Sequence, residues 1–520
     1  MTTSAEEQDF ALDRAINGLR QDHPMKSAST AVWGWQKPAL IALLVLTVGM
    51  AAWQPMRTAI ILIGVCTVGY VLTMADRVLI FKQGLDSRAL VVSDEKARAV
   101  PDSELPRYTI LVPAYNEPEV VGQLIGAMRA LEYPPDKLQV LLLLEADDQV
   151  TIDAARDFAD SEVITIVLVP PAEPRTKPKA CNYGLHFATG DIITIFDAED
   201  SPEPLQLRRV AVAFRELPDD IACIQAKLVY HNGRQNMLTA WFTAEYGLWF
   251  GYLLPGMMRS SSPIPLGGTS NHLRSDVVDK IGAWDPFNVT EDADLGLRIA
   301  ASGYFTAVIE SQTLEEANSD PINWVRQRSR WYKGYLQTWL VHIRRPRQLL
   351  RTIGLRSFIR FNLVMAGTPI IAVLNLLFWF ITALWFLGQP AVVEAVFPWY
   401  IYFPALAALI LGNGATLYMN LIALREDDRS DLLVAALTVP AFFVMMFVCI
   451  PAAAFPLWLE LNYNPPTWVH LVTTLPLILL TCIPPLQPLK GWLIASQYFH
   501  KAEEGRLAPP TAQEKPVASN

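Results

Sequence analysis

The sequence predicts a soluble α/β domain, with a mostly parallel sheet and helices on both faces, inserted between membrane-spanning helices. Three observations predict this class. Of the 520 residues, 52% are hydrophobic and the mean hydropathy is +0.24, which is too apolar for an ordinary soluble protein. Between about residues 75 and 360, short apolar strands alternate with helical stretches. Long apolar runs lie on both sides of this segment.

The N-terminal segment, residues 1–37, is polar and partly helical in pattern. We expect a cytoplasmic tail in which Trp33 and Trp35 anchor the chain at the membrane surface. The next residues, 38–74, contain two apolar runs separated by a short turn at residues 54–57. Each run is long enough, or nearly so, to cross a hydrocarbon core of about 30 Å, so they predict a transmembrane hairpin. No cleavable signal peptide is expected.

A catalytic-type α/β domain is predicted over residues 75–345 and an interfacial helix over residues 346–361. The predicted strands are residues 108–112, 140–144, 164–169, 192–196 and 222–225. About four membrane helices are predicted within residues 362–486, from apolar runs at residues 363–387, 397–424, 432–459 and 468–485. Residues 487–520 are expected to form a cytoplasmic tail, disordered near its end.

The distribution of charge predicts the orientation and limits the partners. Basic residues flank the α/β segment on both sides, whereas the linkers at residues 388–396 and 460–467 contain no Lys or Arg. By the positive-inside tendency, we expect the domain and both termini to be cytoplasmic. The net charge of −9 argues against nucleic acid as a partner. The five cysteines lack metal-type spacing and predict buried or lipid-facing thiols rather than disulfides.

Polar residues follow the first two predicted strands, at the edge where open α/β sheets collect their ligands. Tyr115 and Glu117 follow the first strand and Glu145 ends the second, so these side chains suit a nucleotide. The alternatives are a tight polar turn and a helix N-cap. Lys179, near the start of a predicted helix, suits a diphosphate, with a solvated lysine pair as the alternative.

The fourth predicted strand ends in the acidic sequence Asp197-Ala198-Glu199-Asp200. Carboxylates at this spacing suit a hard divalent cation that bridges diphosphate oxygens. Burying three acids together without a counter-ion is costly, which favours a metal over a purely structural cluster. We predict Asp197 and Glu199 as the ligands, and leave open whether Asp200 takes the place of Glu199.

The segment Thr290-Glu291-Asp292-Ala293-Asp294 predicts the start of a helix that has more acids than capping requires. Mutual repulsion can raise the pKa of one carboxyl, so Asp292 is the predicted general base, with Glu291 beside it. A flexible polar loop is predicted at residues 267–272. Its His272 either borders an acceptor site or is a hydrogen-bonded core histidine.

Residues 320–334 predict a helix with Pro321 at its first position. Gln327, Arg330 and Trp331 have i, i+3, i+4 spacing and are predicted to share one face. An arginine that grips phosphates and an indole that stacks on a pyranose ring suit a sugar donor. The alternative, which does not exclude the first, is a basic amphipathic helix on a membrane surface.

In this order, the strand-end acid, the acidic cluster, the Thr-Glu-Asp at residues 290–292 and the Gln-x-x-Arg-Trp at residues 327–331 resemble the family 2 glycosyltransferases of the cellulose synthase-like superfamily. The resemblance covers residues 108–333 closely. It implies a GT-A fold and an inverting transfer by direct displacement from a nucleotide sugar. UDP-hexose is the expected donor, with GDP-mannose as the alternative.

The resemblance also implies roles for the residues. Donor contacts would come from Tyr115, Glu117, Glu145, Lys179, Asp197, Gln327 and Arg330. Asp197 and Glu199 would bind Mg²⁺ or Mn²⁺, and Asp292 would act as the base with Glu291 next to it. Trp331 would contact the acceptor, with His272 nearby. Two departures from the family pattern are Glu199 in the usual Asp-x-Asp and Glu145 in place of the usual Asp.

The predicted function is therefore a processive inverting synthase of a β-linked polysaccharide in a bacterial inner membrane. Its partners would be the bilayer, the growing glycan, and periplasmic or outer-membrane export proteins. One alternative is transfer of a single sugar to a lipid, since Gln-x-x-Arg-Trp also occurs in lipid glucosyltransferases. Another is a transporter or scaffold with a ligand-sensing domain. The scarcity of charges in the apolar runs argues against an ion-coupled carrier.

Overall fold

The computed structural model describes residues 5–156, 163–372, 391, 397–446 and 469. Several predicted segments therefore lie wholly or partly outside the described residues: the apolar runs at 363–387, 432–459 and 468–485, the linkers at 388–396 and 460–467, and the tail at 487–520. The first hairpin and nearly all of the predicted α/β domain lie inside them.

Eight strands form one mixed sheet in the order β3-β2-β1-β4-β7-β6-β8-β5. The strands are β1 (Tyr108–Ala114), β2 (Leu138–Glu145), β3 (Ile164–Val169), β4 (Ile192–Ile195), β5 (Ser201–Pro202), β6 (Ile221–Tyr230), β7 (Asn271–Arg274) and β8 (Phe305–Glu315). Only β5 and β7 run antiparallel to their neighbours within this sheet. Each of the five predicted strands overlaps an observed strand, and the predicted α/β class with its mostly parallel sheet is confirmed.

The predicted polar loop at residues 267–272 runs into strand β7, so the loop prediction is wrong for its last two residues. β7 lies between β4 and β6, and Leu273 pairs with both Ile193 and Cys223. Four residues are too few to display the alternation of a strand. Both partner strands are also distant in sequence, so the local pattern does not reveal the pairing.

Helices complete the fold. They are α1 (Ala5–Asp22), α2 (Gln36–Trp53), α3 (Pro55–Asp86), α4 (Asp94–Ala99), α5 (Val121–Arg129), α6 (Gln149–Arg156), α7 (Lys177–Leu185), α8 (Gln206–Glu216), α9 (Met237–Leu248), α10 (Leu254–Arg259), α11 (Ser275–Ile281), α12 (Glu291–Ala301), α13 (Pro321–His342), α14 (Pro346–Met365), α15 (Trp399–Glu426) and α16 (Leu433–Met446). α13 begins at Pro321, as predicted. Asp320 caps it by accepting 2.9 Å hydrogen bonds from the backbone N–H groups of Ile322 and Asn323.

Successive residues of β1 enter two different cores, one on each face of the sheet. Leu111 packs on the face covered by α7, whereas Ile110 and Val112 pack on the face covered by α5 and α8. All three side chains are fully buried. A strand covered by helices on both faces must be apolar throughout, which is why β1 was visible as a continuous apolar run.

The N-terminal segment is folded onto the domain and is not an appended tail. Ala11 and Ala15, four residues apart on α1, are buried in the same core as α7. Asn182 Nδ2 donates to the carbonyl oxygen of Ala15 at 3.0 Å. Arg344 then donates to several backbone carbonyls of residues 24–30. The small residues on one face of α1 allow this close packing, which the polar composition of the segment concealed.

Three of the described helices, α2, α3 and α15, are long and apolar enough to cross a membrane. A four-residue turn was predicted between α2 and α3, but in the structure only Gln54 separates them. The last turns of α3 pack tightly on the domain: a Cβ at Gly84 would lie 2.0 Å from the carbonyl oxygen of Tyr252, and one at Gly256 would lie 2.0 Å from that of Ile80. Glycine at both positions therefore lets α3 contact α10 and the turn before it directly.

Candidate active site

A cavity of about 500 Å³ opens at the carboxyl ends of β1, β2 and β4, and we call it the strand-end cavity. Its polar lining consists chiefly of Tyr115, Glu117, Glu145, Arg175, Lys177, Asp197 and Glu199. The parallel strands place their ends at one edge of the sheet, so residues distant in sequence meet there. Most of the predicted nucleotide-binding side chains are thus brought together in one place.

Lys179 is an exception among the predicted donor-binding residues. Its side chain is fully buried, and its Nζ lies 2.8 Å and 2.9 Å from the two carboxylate oxygens of Glu145. Lys177 faces the cavity instead, where it pairs with Asp197 and donates to the carbonyl oxygen of Gly268 at 2.8 Å. Both lysines lie on the first turn of α7, and positions two apart on a helix point in nearly opposite directions. The prediction of Lys179 as a cavity residue is therefore wrong, and Lys177 replaces it.

The acidic cluster after β4 divides into two parts. Asp197 and Glu199 line the strand-end cavity. Asp200 turns inward, where its Oδ2 accepts hydrogen bonds from the backbone N–H of Asp197 at 2.7 Å and from the Thr269 hydroxyl. Burial and the neighbouring Asp197 charge raise the pKa of Glu199 to about 7. Of the two acids left open by the sequence, Glu199 is the one that faces the cavity with Asp197.

A second cavity, of about 320 Å³, adjoins the first because Asp197 and Glu199 line both. It is rich in aromatic side chains and is called the aromatic cavity. Asp292 and Trp331 also line it. Tyr335 lies one turn further along α13 and also lines it. The predicted metal-type acids, the predicted base and the predicted sugar-stacking tryptophan therefore share one cavity.

Asp292 lies at the start of α12, after the N-cap residue Thr290. Its Oδ1 accepts a 2.8 Å hydrogen bond from the backbone N–H of Ala293. Burial raises the pKa of Asp292, and burial together with the charge of Asp292 raises the pKa of Glu291. Asp292 faces the aromatic cavity, whereas Glu291 lies outside its lining. Of these two neighbouring acids, Asp292 is therefore the one that faces the cavity.

Helix α13 closes over Asp292 because Gly334 has no side chain. A Cβ at this position would lie 2.3 Å from Thr290 Cγ2, so any larger residue would push the two helices apart. The contact is extended by Asn288, whose Nδ2 donates to the Thr338 hydroxyl at 2.9 Å. This packing determines the rotation of α13 about its axis and hence which of its side chains face the cavity.

The predicted face of α13 is correct for two of its three members. Gln327 and Trp331 line the aromatic cavity, whereas Arg330 is exposed and lies outside the lining of both cavities. Arg328 takes its place in the lining and is buried. At about 100° per residue, the α13 residues that line the cavity fall within about 140° of one another: Gln327, Arg328, Trp331, Tyr332 and Tyr335. Arg330 lies about 60° beyond the Gln327 edge of that face, which leaves it outside.

Arg328 is a cavity-lining residue that sequence reasoning missed. Its Nη1 donates to Glu245 Oε1 at 2.9 Å, and its Nη2 bonds to the other carboxylate oxygen. The guanidinium also lies 4.5 Å from the centre of the Trp331 ring and 4.8 Å from that of Phe242. It therefore joins α9 to α13 directly beside the predicted stacking surface. The sequence offers one signal for this pair: Glu245 is the lone acid within the aromatic stretch at residues 241–249. A buried carboxylate requires a partner, so a basic residue could have been expected beside it.

His272 lies in the interior and away from both cavities. Its Nδ1 is 2.5 Å from the Tyr108 hydroxyl and its Nε2 is 3.2 Å from Gln206 Oε1. Burial lowers its pKa to about 3, so the ring is neutral. The prediction of His272 as an acceptor-binding residue is wrong, because its position on β7 turns the ring into the core.

Comparison with known protein families identifies the family to which this domain belongs. Residues 106–334 match the profile of a family described as glycosyltransferase like family 2. These residues form a family 2 glycosyltransferase domain. They contain the strands, cavities and α13 residues described above, so the predicted family, the GT-A-like fold and the enzyme class are confirmed for this domain. Residues 434–498 match a second profile, described as a protein of unknown function.

Three curated relatives show the range of proteins that this chain resembles. It is 28% identical over 237 residues to a probable glycosyltransferase, YdaM, of Bacillus subtilis, covering 44% of this chain and 56% of the relative. It is 25% identical over 277 residues to a beta-monoglucosyldiacylglycerol synthase of Synechocystis, covering 51% and 56%. It is 28% identical over 250 residues to the cellulose synthase 1 catalytic subunit of Komagataeibacter xylinus, covering 47% and 32%.

The chain thus spans about half the length of the first two relatives and about a third of the last. Among solved structures, a mannosyltransferase from Pyrobaculum calidifontis in complex with GDP-Man and Mn²⁺ aligns with a TM-score of 0.44 and 19% sequence identity. That alignment covers 73% of this chain and 99% of the other.

Proposed function

We propose that the chain is a membrane glycosyltransferase that transfers a hexosyl unit from a nucleotide sugar to an acceptor hydroxyl, with inversion at the anomeric carbon. One observation carries this proposal: Asp197, Asp292 and Trp331, which are far apart in sequence, line one cavity. The strand-end cavity beside it has a volume within the usual range for small-molecule sites. The nucleotide would occupy the strand-end cavity, with the sugar at its junction with the aromatic cavity.

In this proposal Asp292 accepts the proton of the acceptor hydroxyl while the hydroxyl oxygen attacks the anomeric carbon. The bond between that carbon and the diphosphate oxygen breaks in the same step, and the nucleoside diphosphate leaves. Burial raises the pKa of Asp292, which makes its carboxylate a stronger base than an exposed aspartate. Trp331 and Tyr335 supply flat faces against which acceptor sugars can stack.

Asp197 and Glu199 fit a divalent cation, Mg²⁺ or Mn²⁺. Their hard carboxylate oxygens suit these ions. Burial, and after it the charge of Asp197, raises the pKa of Glu199, and a cation between the two acids would oppose both effects. In the part of the chain that the structure describes, no group of three or more His, Cys, Asp or Glu side chains is placed to hold a metal. That fits an ion held by one or two carboxylates and substrate phosphates. When bound, the ion neutralises charge on the departing diphosphate.

We further propose that the acceptor is a growing β-linked glycan. The aromatic cavity continues from Asp292 past Trp249 to Val364 and Thr368, at the end of α14, where the chain approaches the predicted spans. Such a path suits a growing polymer that extends from the transfer site at Asp292 toward the membrane and the export partners. Similarity to a cellulose synthase catalytic subunit supports the same reading.

A second candidate is the transfer of a single sugar to a lipid acceptor. The same end of the aromatic cavity lies beside the membrane helices, so a lipid hydroxyl could reach Asp292 from the bilayer. Similarity to a beta-monoglucosyldiacylglycerol synthase supports this candidate. In both cases we place the domain on the cytoplasmic face of a bacterial inner membrane, because basic residues flank it on both sides.

Product size distinguishes these candidates. Membranes that contain the full chain are incubated with labelled UDP-glucose or GDP-mannose and either Mg²⁺ or Mn²⁺, with Asp292→Asn membranes as the matched control. Long glycan that depends on Asp292 supports the polymer, whereas a lipid with one labelled sugar supports the second candidate. No Asp292-dependent product from any nucleotide sugar would contradict the proposed activity.

A further inference from the structure

A groove that is separate from both cavities of the glycosyltransferase domain lies where α2, the first predicted membrane helix, meets α14. Its volume is about 810 Å³. Trp35 forms one wall, and the first turns of α14 form the other, with Arg345, Arg347, Gln348 and Arg351. Neither the predicted metal ligands Asp197 and Glu199 nor the predicted base Asp292 lines it. The proposed transfer reaction therefore leaves this groove without a role.

The groove lies at the end of a membrane helix. Gln36, the first residue of α2, donates from Nε2 to the carbonyl oxygen of Leu340 at 2.7 Å. Trp35 donates from Nε1 to the carbonyl oxygen of Arg344 at 3.1 Å, which holds the indole against the end of α13. The indole is still 50% exposed. Tryptophan in this position, just outside an apolar helix, is typical of the headgroup level of a bilayer.

The α14 side of the groove is also shaped for a membrane surface. At Gly354 the backbone has a φ of 77°, which breaks α14 into two parts. Beyond the break, Leu355 and Ile359 are 65% and 47% exposed, four residues apart on one face. Exposed apolar residues at this spacing insert into the interface between headgroups and acyl chains. The first part of α14, with the arginines, then lies at headgroup level.

Charge distinguishes this groove from an ordinary polar surface. Between residues 321 and 365 every formally charged side chain is Arg or Lys, in a protein whose net charge is −9. The buried arginines of this region have partners: Arg328 pairs with Glu245, and Arg360 pairs with Asp76 at 2.9 Å. Arg347 and Arg351 are exposed, one helical turn apart, and the described residues offer them no carboxylate.

We infer that the groove between Trp35 and Arg351 binds the phosphate headgroup of an anionic membrane lipid. Guanidinium groups on successive turns of a helix can grip one phosphate with several hydrogen bonds. The indole of Trp35 covers the glycerol region, and the adjacent apolar residues accommodate the acyl chains. The inference depends on the proposed membrane placement but not on the proposed reaction, since binding can be measured without a sugar donor.

The test uses the full chain in a neutral detergent and three soluble probes: dihexanoyl phosphatidylglycerol, dihexanoyl phosphatidylcholine and inorganic phosphate. Affinities are measured by calorimetry for the parent protein, for Arg347→Gln/Arg351→Gln, and for the control Arg107→Gln/Arg129→Gln. The control arginines are exposed on the soluble domain, far along the chain from the groove. A lysine variant, Arg347→Lys/Arg351→Lys, preserves the charge.

Phosphatidylglycerol should bind the parent with saturation, and the glutamine variant should bind it about 10- to 30-fold more weakly, as expected for two basic contacts near a bilayer. The control should be unchanged, and the lysine variant should bind with intermediate affinity, because it keeps the charge but not the paired hydrogen bonds of the guanidinium. Equal binding by the parent and the glutamine variant would overturn the inference. So would an equal loss in the control, or inorganic phosphate or phosphatidylcholine binding as tightly as phosphatidylglycerol.

A second measurement covers the case in which the glutamine variant does not fold. A photoreactive benzoylphenylalanine replaces Gln348, an exposed lining residue of the groove, and in a matched protein it replaces Arg129. Both proteins are irradiated in vesicles of mixed phosphatidylglycerol and phosphatidylcholine. Cross-links at position 348 that are enriched in phosphatidylglycerol support the inference. Absence of lipid cross-links there, or equal labelling at position 129, would overturn it.

Discussion

The ion pair between Arg328 and Glu245 allows a specific test of how the stacking surface is held. The two side chains are only 5% and 27% exposed, so solvent screens the pair weakly. Glu245→Gln removes the counter-charge and leaves the guanidinium buried beside Trp331. Loss of one partner from such a buried pair costs about 3 kcal/mol. We therefore expect a clear fall in the apparent Tm of this variant in detergent.

The double variant Arg328→Met/Glu245→Leu separates the effect of charge from the effect on Trp331. Apolar replacements of similar size leave no unpaired charge, so the apparent Tm should recover most of what either single change loses. Transfer should stay low, because the Trp331 ring has lost the cation 4.5 Å from its centre. A desolvated contact of this kind is worth about 1–2 kcal/mol, or roughly 5- to 30-fold in acceptor KM.

The assay compares the apparent Tm, kcat and acceptor KM of the parent, both single variants and the double variant. Arg326→Met is the matched control, because Arg326 is an exposed arginine on the same helix and bonds only to nearby Asn323 among the contacts described. Recovery of both stability and acceptor KM in the double variant would show that Trp331 needs no cation. An equal rise of acceptor KM in the control would point to general charge on α13. Either result would refute the reasoning.

Four further predictions concern the acids and the tryptophan. Asp292→Asn should lower transfer by about 10²- to 10⁴-fold and leave nucleotide binding by calorimetry within about twofold, whereas loss of nucleotide binding would contradict its role as a base. Burial raises the pKa of Asp292 above 3.8, and a general base must be ionised to act. We therefore expect kcat/KM to fall about tenfold per pH unit below that raised pKa, and a flat profile down to pH 4 would count against Asp292 as the base. Glu199→Gln should raise the Mn²⁺ concentration needed for half-maximal transfer. Asp200→Ala should mainly lower the apparent Tm, because it leaves the backbone N–H of Asp197 and the Thr269 hydroxyl without their acceptor; the reverse pattern would exchange the roles of the two acids. Trp331→Ala should shorten the glycan product, and unaltered length on a sizing column would remove Trp331 from the acceptor path.

The local sequence was sufficient for the parallel half of the sheet. β1, β2 and β4 are buried on both faces, so each is a continuous apolar run that ends where polar residues begin. Since such strands end at a common edge, the sequence alone predicts that Glu145 and Asp197 lie close together. The start of α13 was also visible, because Asp320 and Pro321 form a helix-start signal within a few residues.

Contacts between distant segments were not visible in the same way. β7 is too short to show a period, and its neighbours β4 and β6 come from other parts of the chain. β8 was missed because the buried positions of its second half are the polar Ser311 and Thr313, whereas the apolar Leu314 is exposed. The sequence therefore does not alternate between apolar and polar residues there. The packing of α1 on α7 depends on small side chains such as Ala11 and Ala15, which contribute little to a hydrophobicity pattern.

The sequence by itself determined which kinds of side chain would meet: strand-end acids, a lysine, a second pair of acids and an aromatic, arginine-bearing helix. Tertiary structure alone decided which member of each group lines a cavity. Lys177 lines the strand-end cavity where Lys179 was expected, and Arg328 lines the aromatic cavity where Arg330 was expected. The physical reason is that spacing defines the angles between side chains on a helix, whereas the rotation of the whole helix is determined by packing, such as that of Gly334 against Thr290.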